Sequence, residues 1–313
     1  MGDRVLVTGG SGFIGSALVE RLVGRGDEVY CTLLPGDEAS NLAAVRDQVC
    51  ILRADLADRS AVERAVREAR PDVVYHLAAV GVTDIRVDPA LAVRVNVEGA
   101  LYLLLALDGN YRAFVNTGTC HEYGSNEPPF REEQDPRPEL PYAITKSAVW
   151  RFCRRFYATR GWPIVTVRPF GVYGPRQGDR AFIPSCIAAA LAGRAFKMTG
   201  GEQQRDVIYV GDVVEGFLCA ADTPAAAGGT FNLCTGREVP LHQIAAQIVE
   251  RIGGQAAILR GALPYRTAEI WHMVGDNTRA RKVLGWTPRI SLAEGLDHTI
   301  RAQAQRSVDA PLT

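Results

Sequence analysis

Tyr142 and Lys146 stand four residues apart near the start of a predicted helix, directly behind Pro141. Side chains at this spacing project from one face of a helix, so the phenol and the ammonium lie close together. A free phenol has a pKa of about 10, and a neighbouring ammonium lowers this pKa because it favours the ionised form. The pair predicts a proton-transfer site for a hydroxyl or carbonyl group; the alternative is a pair of surface residues on a helix.

A second group of residues is suited to binding phosphate. Val7–Gly15 reads VTGGSGFIG, with glycines at positions 9, 12 and 15. Gly9 permits a tight turn out of a strand, Gly12 lets the backbone approach a pyrophosphate, and Gly15 lets the following helix pack closely. The anion then lies on free N–H groups at the helix start. The predicted contacts are Gly9, Ser11, Gly12, Phe13, Ile14 and Gly15; the alternative is a glycine-rich turn without a ligand.

The ends of other predicted strands complete a dinucleotide site. Asp55-Leu56 fits a contact with an adenine edge, although Asp55 could instead start a turn or cap a helix. His76–Ala79 reads HLAA and places small residues where a cofactor must pass, whereas His76 itself is expected to be a packed histidine. The second strand ends in Thr32–Leu34, without the carboxylate that binds the ribose of NAD or the arginine that binds the phosphate of NADP. Both cofactors therefore stay open.

Thr119 follows the fifth predicted strand, within the segment NTGTCHEYG from Asn116 to Gly124. Its hydroxyl could bond the same reacting oxygen as Tyr142. The alternative is a loop hydroxyl that bonds to nearby backbone.

These residues lie on alternating strands and helices. Short apolar strands are predicted at residues 5–7, 28–33, 49–52, 73–76, 114–117 and 164–167, with helices at residues 12–23, 60–69, 91–107 and 142–159 between them. This alternation predicts an α/β fold with a doubly wound parallel Rossmann sheet. We expect a dinucleotide-binding domain over residues 1–170. Residues 171–313 should form mainly a smaller α/β substrate-binding domain, interleaved with late strands of the sheet.

Composition excludes several classes of function. The 313-residue chain has 35 basic and 35 acidic residues, so no basic field favours nucleic acid. Its seven cysteines are scattered and predict neither a metal site nor a disulfide framework. The apolar run Leu101–Leu107 is too short to span a bilayer. We expect a cytoplasmic protein without membrane or nucleic-acid partners.

Taken in order, the motifs resemble those of extended short-chain dehydrogenases/reductases of the sugar-nucleotide epimerase/dehydratase group. The resemblance runs from VTGGSGFIG through HLAA and Tyr142/Lys146 to Arg168-Pro169, QRDVIYVGDVV and KVLGWTP. It implies NAD or NADP as cofactor, bound also by Leu77, Ala78, Ala79 and Pro169, and a nucleotide-diphosphate sugar as substrate. It further implies that Arg205 and Arg266 hold the substrate diphosphate. Gly171 departs from the family, in which an Asn commonly contacts the substrate.

A second departure concerns the reaction. Cys120 and His121 occupy the position of the Asp-Glu acid pair of the 4,6-dehydratases, and CHEY looks more like the loop of 4-ketoreductases. Cys120 and His121 are therefore predicted substrate contacts. We expect reduction of a 4-keto-6-deoxy sugar nucleotide by NAD(P)H, with epimerisation as the alternative. A dehydratase or a non-catalytic dinucleotide-binding protein is less favoured. The resemblance and the apolar helices also imply a homodimer.

Overall fold

The centre of the molecule is a seven-stranded parallel sheet. A computed structural model describes residues 2–82, 87–254, 256–266 and 269–309. The strands of the sheet are β1 (Arg4–Thr8), β2 (Glu28–Leu33), β3 (Val49–Arg53), β4 (Val73–His76), β5 (Ala113–Thr117), β6 (Ile164–Pro169) and, later in the chain, β11 (Thr230–Leu233). Their spatial order is β11-β6-β5-β4-β1-β2-β3. The expected Rossmann-type class is confirmed.

Helices cover both faces of this sheet. They are α1 (Phe13–Gly24), α2 (Arg59–Ala69), α3 (Pro89–Ala92), α4 (Gly99–Leu107), α5 (Pro141–Arg160) and, later in the chain, α7 (Val210–Asp222). Helices α1 and α7 pack together on one face, while α2, α4 and α5 enclose the apolar cluster on the other. Short 3₁₀ segments occur at Ser40–Gln48, Cys120–Tyr123 and Pro224–Ala226.

The later part of the chain adds a smaller layer beside the sheet. Its strands are β7 (Gly171–Tyr173), β8 (Phe196–Lys197), β9 (Gln204–Arg205), β10 (Val207–Tyr209), β12 (Val239–Pro240), β13 (Ile258–Leu259) and β14 (His272–Met273). Its helices are α6 (Phe182–Leu191), α8 (Leu241–Ile252) and α9 (Leu292–Asp309), preceded by a π-helical turn at Ala280–Leu284. An apolar cluster that includes Ile187, Ile244 and Leu296 joins the three helices. Strand β11 belongs to this part of the chain, yet it pairs with β6 at the edge of the main sheet.

One helical stretch is longer than its apolar run suggested. Helix α3 continues through a π-helical turn, Val93–Glu98, into α4. Within the part of the chain that the structure describes, the 19-residue stretch Pro89–Leu107 is long and apolar enough to cross a membrane by length and composition. Its inward side chains, including Ala100, Leu103 and Leu104, are buried in the cluster that covers the sheet. Such a packed helix of a globular domain passes the same test, so the stretch is weak evidence for a membrane span.

Candidate active site

The glycine loop connects β1 to α1 with little space to spare. Gly9 has φ of 70°, the left-handed conformation that glycine adopts readily. A Cβ on Gly15 would collide with the carbonyl oxygen of Gly9, so the close approach of helix and loop requires glycine here. Gly12 occupies the N-cap position and no side chain among the described residues caps the helix. The N–H groups of the first turn are therefore available to an anion, and these contacts fit the pyrophosphate of a dinucleotide.

The segment after β4 forms the wall beside this loop. Leu77 N donates to Thr8 O and Ala78 N to Thr8 Oγ1, both at 3.2 Å. His76 Nδ1 lies 2.8 Å from the same Thr8 hydroxyl. Burial, together with the charge of Lys146, lowers the pKa of His76 to about 3, so the ring is neutral. His76 is thus a packed strand-end residue, while the small Ala78 lies against Gly9.

The adenosine side contains one residue that sequence reasoning passed over. Asp37, beyond the end of β2, turns back so that its Oδ2 accepts the Ser11 hydroxyl at 2.6 Å. Its Oδ1 accepts Ala39 N at 2.7 Å, and the Ser11 hydrogen bond lowers the pKa of this carboxyl. Asp55 Oδ1 accepts Ala57 N at 2.9 Å, which is the turn-forming role left open for it. Leu56 beside it is buried. The adenine contacts of these two residues stay predictions.

Tyr142, Lys146 and Thr119 come together at the carboxyl end of the sheet. Pro141 begins α5, and Lys146 Nζ lies 5.9 Å from the centroid of the Tyr142 ring. The Thr119 hydroxyl lies near enough to the Tyr142 phenol to lower its pKa. Burial lowers the pKa of Lys146 to about 8, against a raising effect of Glu122. This arrangement joins a proton donor, a neighbouring cation and a second hydroxyl at one point.

The protonation state of Tyr142 differs from the simplest expectation. Its pKa lies above the ordinary value because of burial first, and then because of the negative charge of Glu122. The Thr119 hydroxyl opposes these effects only in part. The phenol is therefore protonated at neutral pH and is ready to donate a proton.

Asn96 is a further site residue that the sequence analysis missed. It lies in the π-helical turn and is 1% exposed. Its Oδ1 accepts the N–H of Val80 at 2.8 Å, and its Nδ2 donates to Val80 O at 3.0 Å. Its Nδ2 also donates to Thr145 Oγ1 at 3.0 Å, and Thr145 donates in turn to Tyr142 O at 2.7 Å. Asn96 thereby ties the segment after β4 to the catalytic turn of α5. A polar residue within an otherwise apolar helix was the available signal.

The predicted substrate residues converge on the other side of Thr119. His121 is half-buried, and burial, followed by the charges of Arg205 and Arg266, lowers its pKa. Arg205 Nη2 pairs with Glu269 Oε1 at 2.9 Å, and its Nη1 donates to Ile270 O at 2.6 Å. Arg266 is exposed. The structure thus brings His121 near both arginines, and their contacts with substrate stay predictions.

Cys120 lies in a small apolar cluster beside the site. Its Sγ is 3.4 Å from the Met273 sulfur, with Tyr123, Phe130 and Phe170 in the same cluster. Burial raises the pKa of this thiol to about 12. A thiol in this environment stays protonated and is a poor proton-transfer group at neutral pH.

Gly171 is explained by the pairing of two short strands. Its N–H donates to Asp206 O at 3.0 Å, and a Cβ on Gly171 would lie 2.9 Å from that oxygen. An Asn at this position would require the backbone to shift. The substrate contact made by the family's Asn is therefore absent from this position.

The fold and the site together define a nicotinamide-dependent oxidoreductase of the short-chain dehydrogenase/reductase class. Residues 5–234 match the NAD dependent epimerase/dehydratase family. The chain belongs to this family, as its motifs indicated. No group of His, Cys, Asp and Glu suited to a metal ion occurs among the residues described.

The relatives catalyse several reactions. The chain is 34% identical to the UDP-glucose 4-epimerase of Mycolicibacterium smegmatis, over 95% of this chain and 97% of the relative. It is 28% identical to the GDP-6-deoxy-D-mannose reductase of Pseudomonas aeruginosa, over 95% of both chains. The crystal structure of the Thermotoga maritima UDP-glucose 4-epimerase with UDP-glucose matches with a TM-score of 0.90 and 30% identity, over 97% of this chain and 99% of that one. Other similar structures contain NAD or NADPH. The protein is therefore a sugar-nucleotide enzyme that uses NAD or NADP.

Proposed function

We propose that the protein reduces the 4-keto group of a nucleotide-diphosphate 4-keto-6-deoxy sugar. When bound, the reduced nicotinamide supplies a hydride to a carbonyl carbon. Tyr142 donates the proton to the carbonyl oxygen, and Thr119 donates a hydrogen bond to the same oxygen. Lys146 holds the nicotinamide ribose, and Arg205 and Arg266 bind the diphosphate, for which guanidinium groups are well suited.

The observation that carries this proposal is the meeting of Tyr142, Lys146 and Thr119 at one point, beside a buried Cys120 that is poorly suited to act as an acid. Reduction requires a proton donor at the carbonyl oxygen. Burial and the nearby charge of Glu122 raise the pKa of the Tyr142 phenol, so it keeps its proton at neutral pH and can serve as that donor.

Dehydration is disfavoured by the surroundings of Cys120. Loss of water from a nucleotide hexose requires an acid beside the departing hydroxyl and a base beside the neighbouring C–H bond. The pKa of Cys120 is raised to about 12 and its sulfur contacts Met273, so it is poorly suited to be that acid. His121 alone would have to serve both steps.

Epimerisation is the second candidate. Its support is the similarity to the UDP-glucose 4-epimerases of Mycolicibacterium smegmatis and Thermotoga maritima. An epimerase would first oxidise the sugar and then reduce it, so Tyr142 would have to act as base and acid in turn. It would also retain its cofactor between turnovers.

Asp37 favours NAD(H) over NADP(H). Its carboxylate is held beside the phosphate loop by the Ser11 hydroxyl at 2.6 Å. A carboxylate at the ribose accepts hydrogen bonds from hydroxyl groups but repels a 2′-phosphate. We further propose that the enzyme acts in the cytoplasm as a homodimer, without membrane or nucleic-acid partners.

The test is an assay with several nucleotide-diphosphate 4-keto-6-deoxy sugars, in which NADH or NADPH consumption is followed by absorbance. We expect turnover with at least one of them, and Tyr142→Phe should lower it at least about a hundredfold while cofactor affinity is retained. The matched control is Tyr157→Phe, which changes an exposed tyrosine of the same helix. Bound NAD⁺ in the purified protein, with interconversion of unmodified UDP-hexoses, would support the epimerase instead. Mass-spectrometric loss of water from an unmodified nucleotide hexose, abolished by His121→Ala, would establish a dehydratase.

A further inference from the structure

A fully buried ion pair lies beneath the catalytic loop. Glu122 Oε2 accepts hydrogen bonds from Arg168 Nε at 3.1 Å and Nη2 at 2.8 Å, and both side chains are 0% exposed. Oε1 of the same carboxylate accepts the backbone N–H of Thr119 at 2.8 Å. One carboxylate thus joins the end of strand β6 to Thr119, the residue whose hydroxyl lies beside the Tyr142 phenol and lowers its pKa.

Arg168 extends this connection to helix α5. Its guanidinium carbon lies 4.7 Å from the Tyr123 ring centroid and 4.9 Å from that of Trp150. Trp150 follows Lys146 by four residues on α5 and therefore shares its side of the helix. The pair contacts both elements that carry the catalytic group, the turn that begins after Thr119 and the helix of Tyr142 and Lys146.

Gly118 provides the space that the carboxylate occupies. A Cβ at this position would overlap Glu122 Oε1 and would lie 3.1 Å from Arg168 Cγ. The absence of a side chain at Gly118 therefore makes room for the Glu122 carboxylate.

Stability alone does not account for the pair. Moving two charges out of water costs free energy that their attraction seldom exceeds, and apolar replacements of buried pairs are often neutral or stabilising. Arg168 Nη1 is also buried with no hydrogen-bond partner in the described ranges, which adds to this cost. A costly ion pair in the wall of the active site points to a role in the chemistry there.

We propose that Glu122, held in place by Arg168, is a positioning residue that orients Thr119 at the reacting oxygen and places a buried negative charge beside Tyr142 and Lys146. The consequence of this arrangement for turnover rests on the proposed reductase function. Its effect on the pKa of Lys146 is independent of that function, because it is a property of the folded chain.

Glu122 shifts the pKa of both catalytic groups upward. It raises the pKa of Tyr142, while the neighbouring Thr119 hydroxyl lowers it. At Lys146 burial lowers the pKa to about 8, and Glu122 acts in the raising direction. Cys120 and Cys153, whose own pKa values are raised to about 12, are neutral at this pH. His76, which lies across the site on β4, is neutral at this pH because its own pKa is lowered to about 3. Removal of the Glu122 charge should therefore lower the pKa of both Tyr142 and Lys146.

The first experiment measures the titration of Lys146 directly. The chain contains three lysines, and Lys197 and Lys282 are exposed, so ¹³C-labelled lysine NMR gives three assignable signals. In the intact protein the Lys146 signal should titrate near pH 8. Glu122→Gln should lower that midpoint, whereas Glu132→Gln, a matched change of another buried glutamate bonded to a backbone N–H, should leave it in place. An unchanged Lys146 midpoint in a folded Glu122→Gln protein would overturn the proposal.

A second variant covers the case in which Glu122→Gln leaves Arg168 unpaired and the protein unfolds. The double variant Glu122→Gln/Arg168→Met removes both charges and keeps an apolar side chain between the Tyr123 and Trp150 rings. It should fold and should also show a lowered Lys146 midpoint, because the field of Glu122 is the one that reaches Lys146. A midpoint equal to that of the wild type would again contradict the proposal.

The kinetic arm separates this inference from the proposed function. With an active substrate, Glu122→Gln should move the alkaline limb of the kcat/KM profile to lower pH, because Lys146, whose pKa is about 8, then loses its proton earlier. Glu132→Gln should leave the profile unchanged. If no 4-keto sugar nucleotide is consumed even by the wild type, the reductase function fails while the lysine titration still decides the role of Glu122.

Discussion

At the residue scale, Arg205 already holds a carboxylate where a diphosphate is expected. Its Nη2 pairs with Glu269 at 2.9 Å, and its side chain is only 20% exposed. A guanidinium that binds one anion in a sheltered position is well placed to bind another. We therefore expect Glu269 to compete with a substrate diphosphate for Arg205.

Arg205→Ala should weaken UDP, dTDP or GDP binding at least about tenfold, because a hydrogen bond to a charged group is worth about 1.5–3 kcal/mol. Glu269→Gln should have the opposite effect, since it removes the competing charge. Calorimetric titration with each nucleoside diphosphate measures both. The control is Arg260→Ala, which breaks a half-exposed pair with Glu202. Equal losses in the two arginine variants would exclude Arg205 as a diphosphate ligand.

Asp37 provides the second prediction at this scale. Asp37→Asn keeps a polar side chain beside Ser11 but removes its charge, so NADP(H) should bind more tightly relative to NAD(H). One unit of charge repulsion in a partly buried site corresponds to a change of about tenfold or more. Cofactor fluorescence titration gives the ratio of dissociation constants. Asp47→Asn changes an exposed acid on the 3₁₀ segment that follows Asp37 and should leave this ratio unchanged. A wild-type preference for NADP(H) would contradict the assignment.

At the scale of elements, the long helices α3–α4 and α5 leave apolar side chains uncovered. Leu91, Val93 and Leu105 are 38%, 45% and 44% exposed, and Phe152 on α5 is 41% exposed. Two further aromatic residues of α5, Trp150 and Phe156, pack inside the subunit. Trp150 donates to Thr230 at 2.8 Å, and the ring of Phe156 lies 4.7 Å from that of Trp162.

These exposed residues predict a two-fold dimer built from helices. Light scattering should give twice the 33.9 kDa mass of the chain at micromolar concentration. Leu105→Glu combined with Phe152→Glu should give monomers, because each buries a charge in the apolar contact. Leu263→Glu changes an equally exposed leucine of the C-terminal part and serves as the control. A monomeric wild-type protein would remove the basis for this prediction.

At the scale of the whole molecule, buried thiols make the fold sensitive to alkali. Burial raises the pKa of Cys31, Cys120, Cys153 and Cys186 to about 12 each. Above about pH 9 the unfolded chain loses these protons while the native state keeps them. Their contribution to stability is therefore complete below about pH 9 and is lost as pH rises toward about 12. The pKa of Lys146 is lowered to about 8, so this residue makes stability rise with pH above that value. Its effect is smaller than the combined effect of the four thiols.

The urea midpoint should therefore fall steeply above about pH 9. Each thiol lowers the free energy of unfolding by on the order of 4 kcal/mol as the pH rises from its unfolded-state pKa to its native-state pKa. Such changes are comparable to the whole stability of a domain. Cys186→Ala should reduce the steepness, whereas Cys50→Ala should not, because Cys50 is exposed. A midpoint that stays level to about pH 10 would show that the thiols titrate normally in the folded protein.

The sequence alone was sufficient for features that depend on near neighbours. The strand predicted at residues 28–33 has the same bounds in the structure, because apolar periodicity and flanking turn residues are local signals. The glycine spacing indicated the tight loop at Gly9 and Gly15, and the four-residue spacing placed Tyr142 and Lys146 on one helix face. The family membership followed from the order of such motifs.

The partners of the side chains were decided by the tertiary structure. Asp37 meets Ser11 across 26 residues of chain, Glu122 meets Arg168 across 46, and Arg205 meets Glu269 across 64. None of these pairs shares a helix turn or a strand, so no spacing rule connects them. Their distances depend on how the strands and helices pack, and so do the burial and fields that set the proton on Tyr142. The sequence therefore determined which chemical groups the site contains, and only folding determined which charges they face.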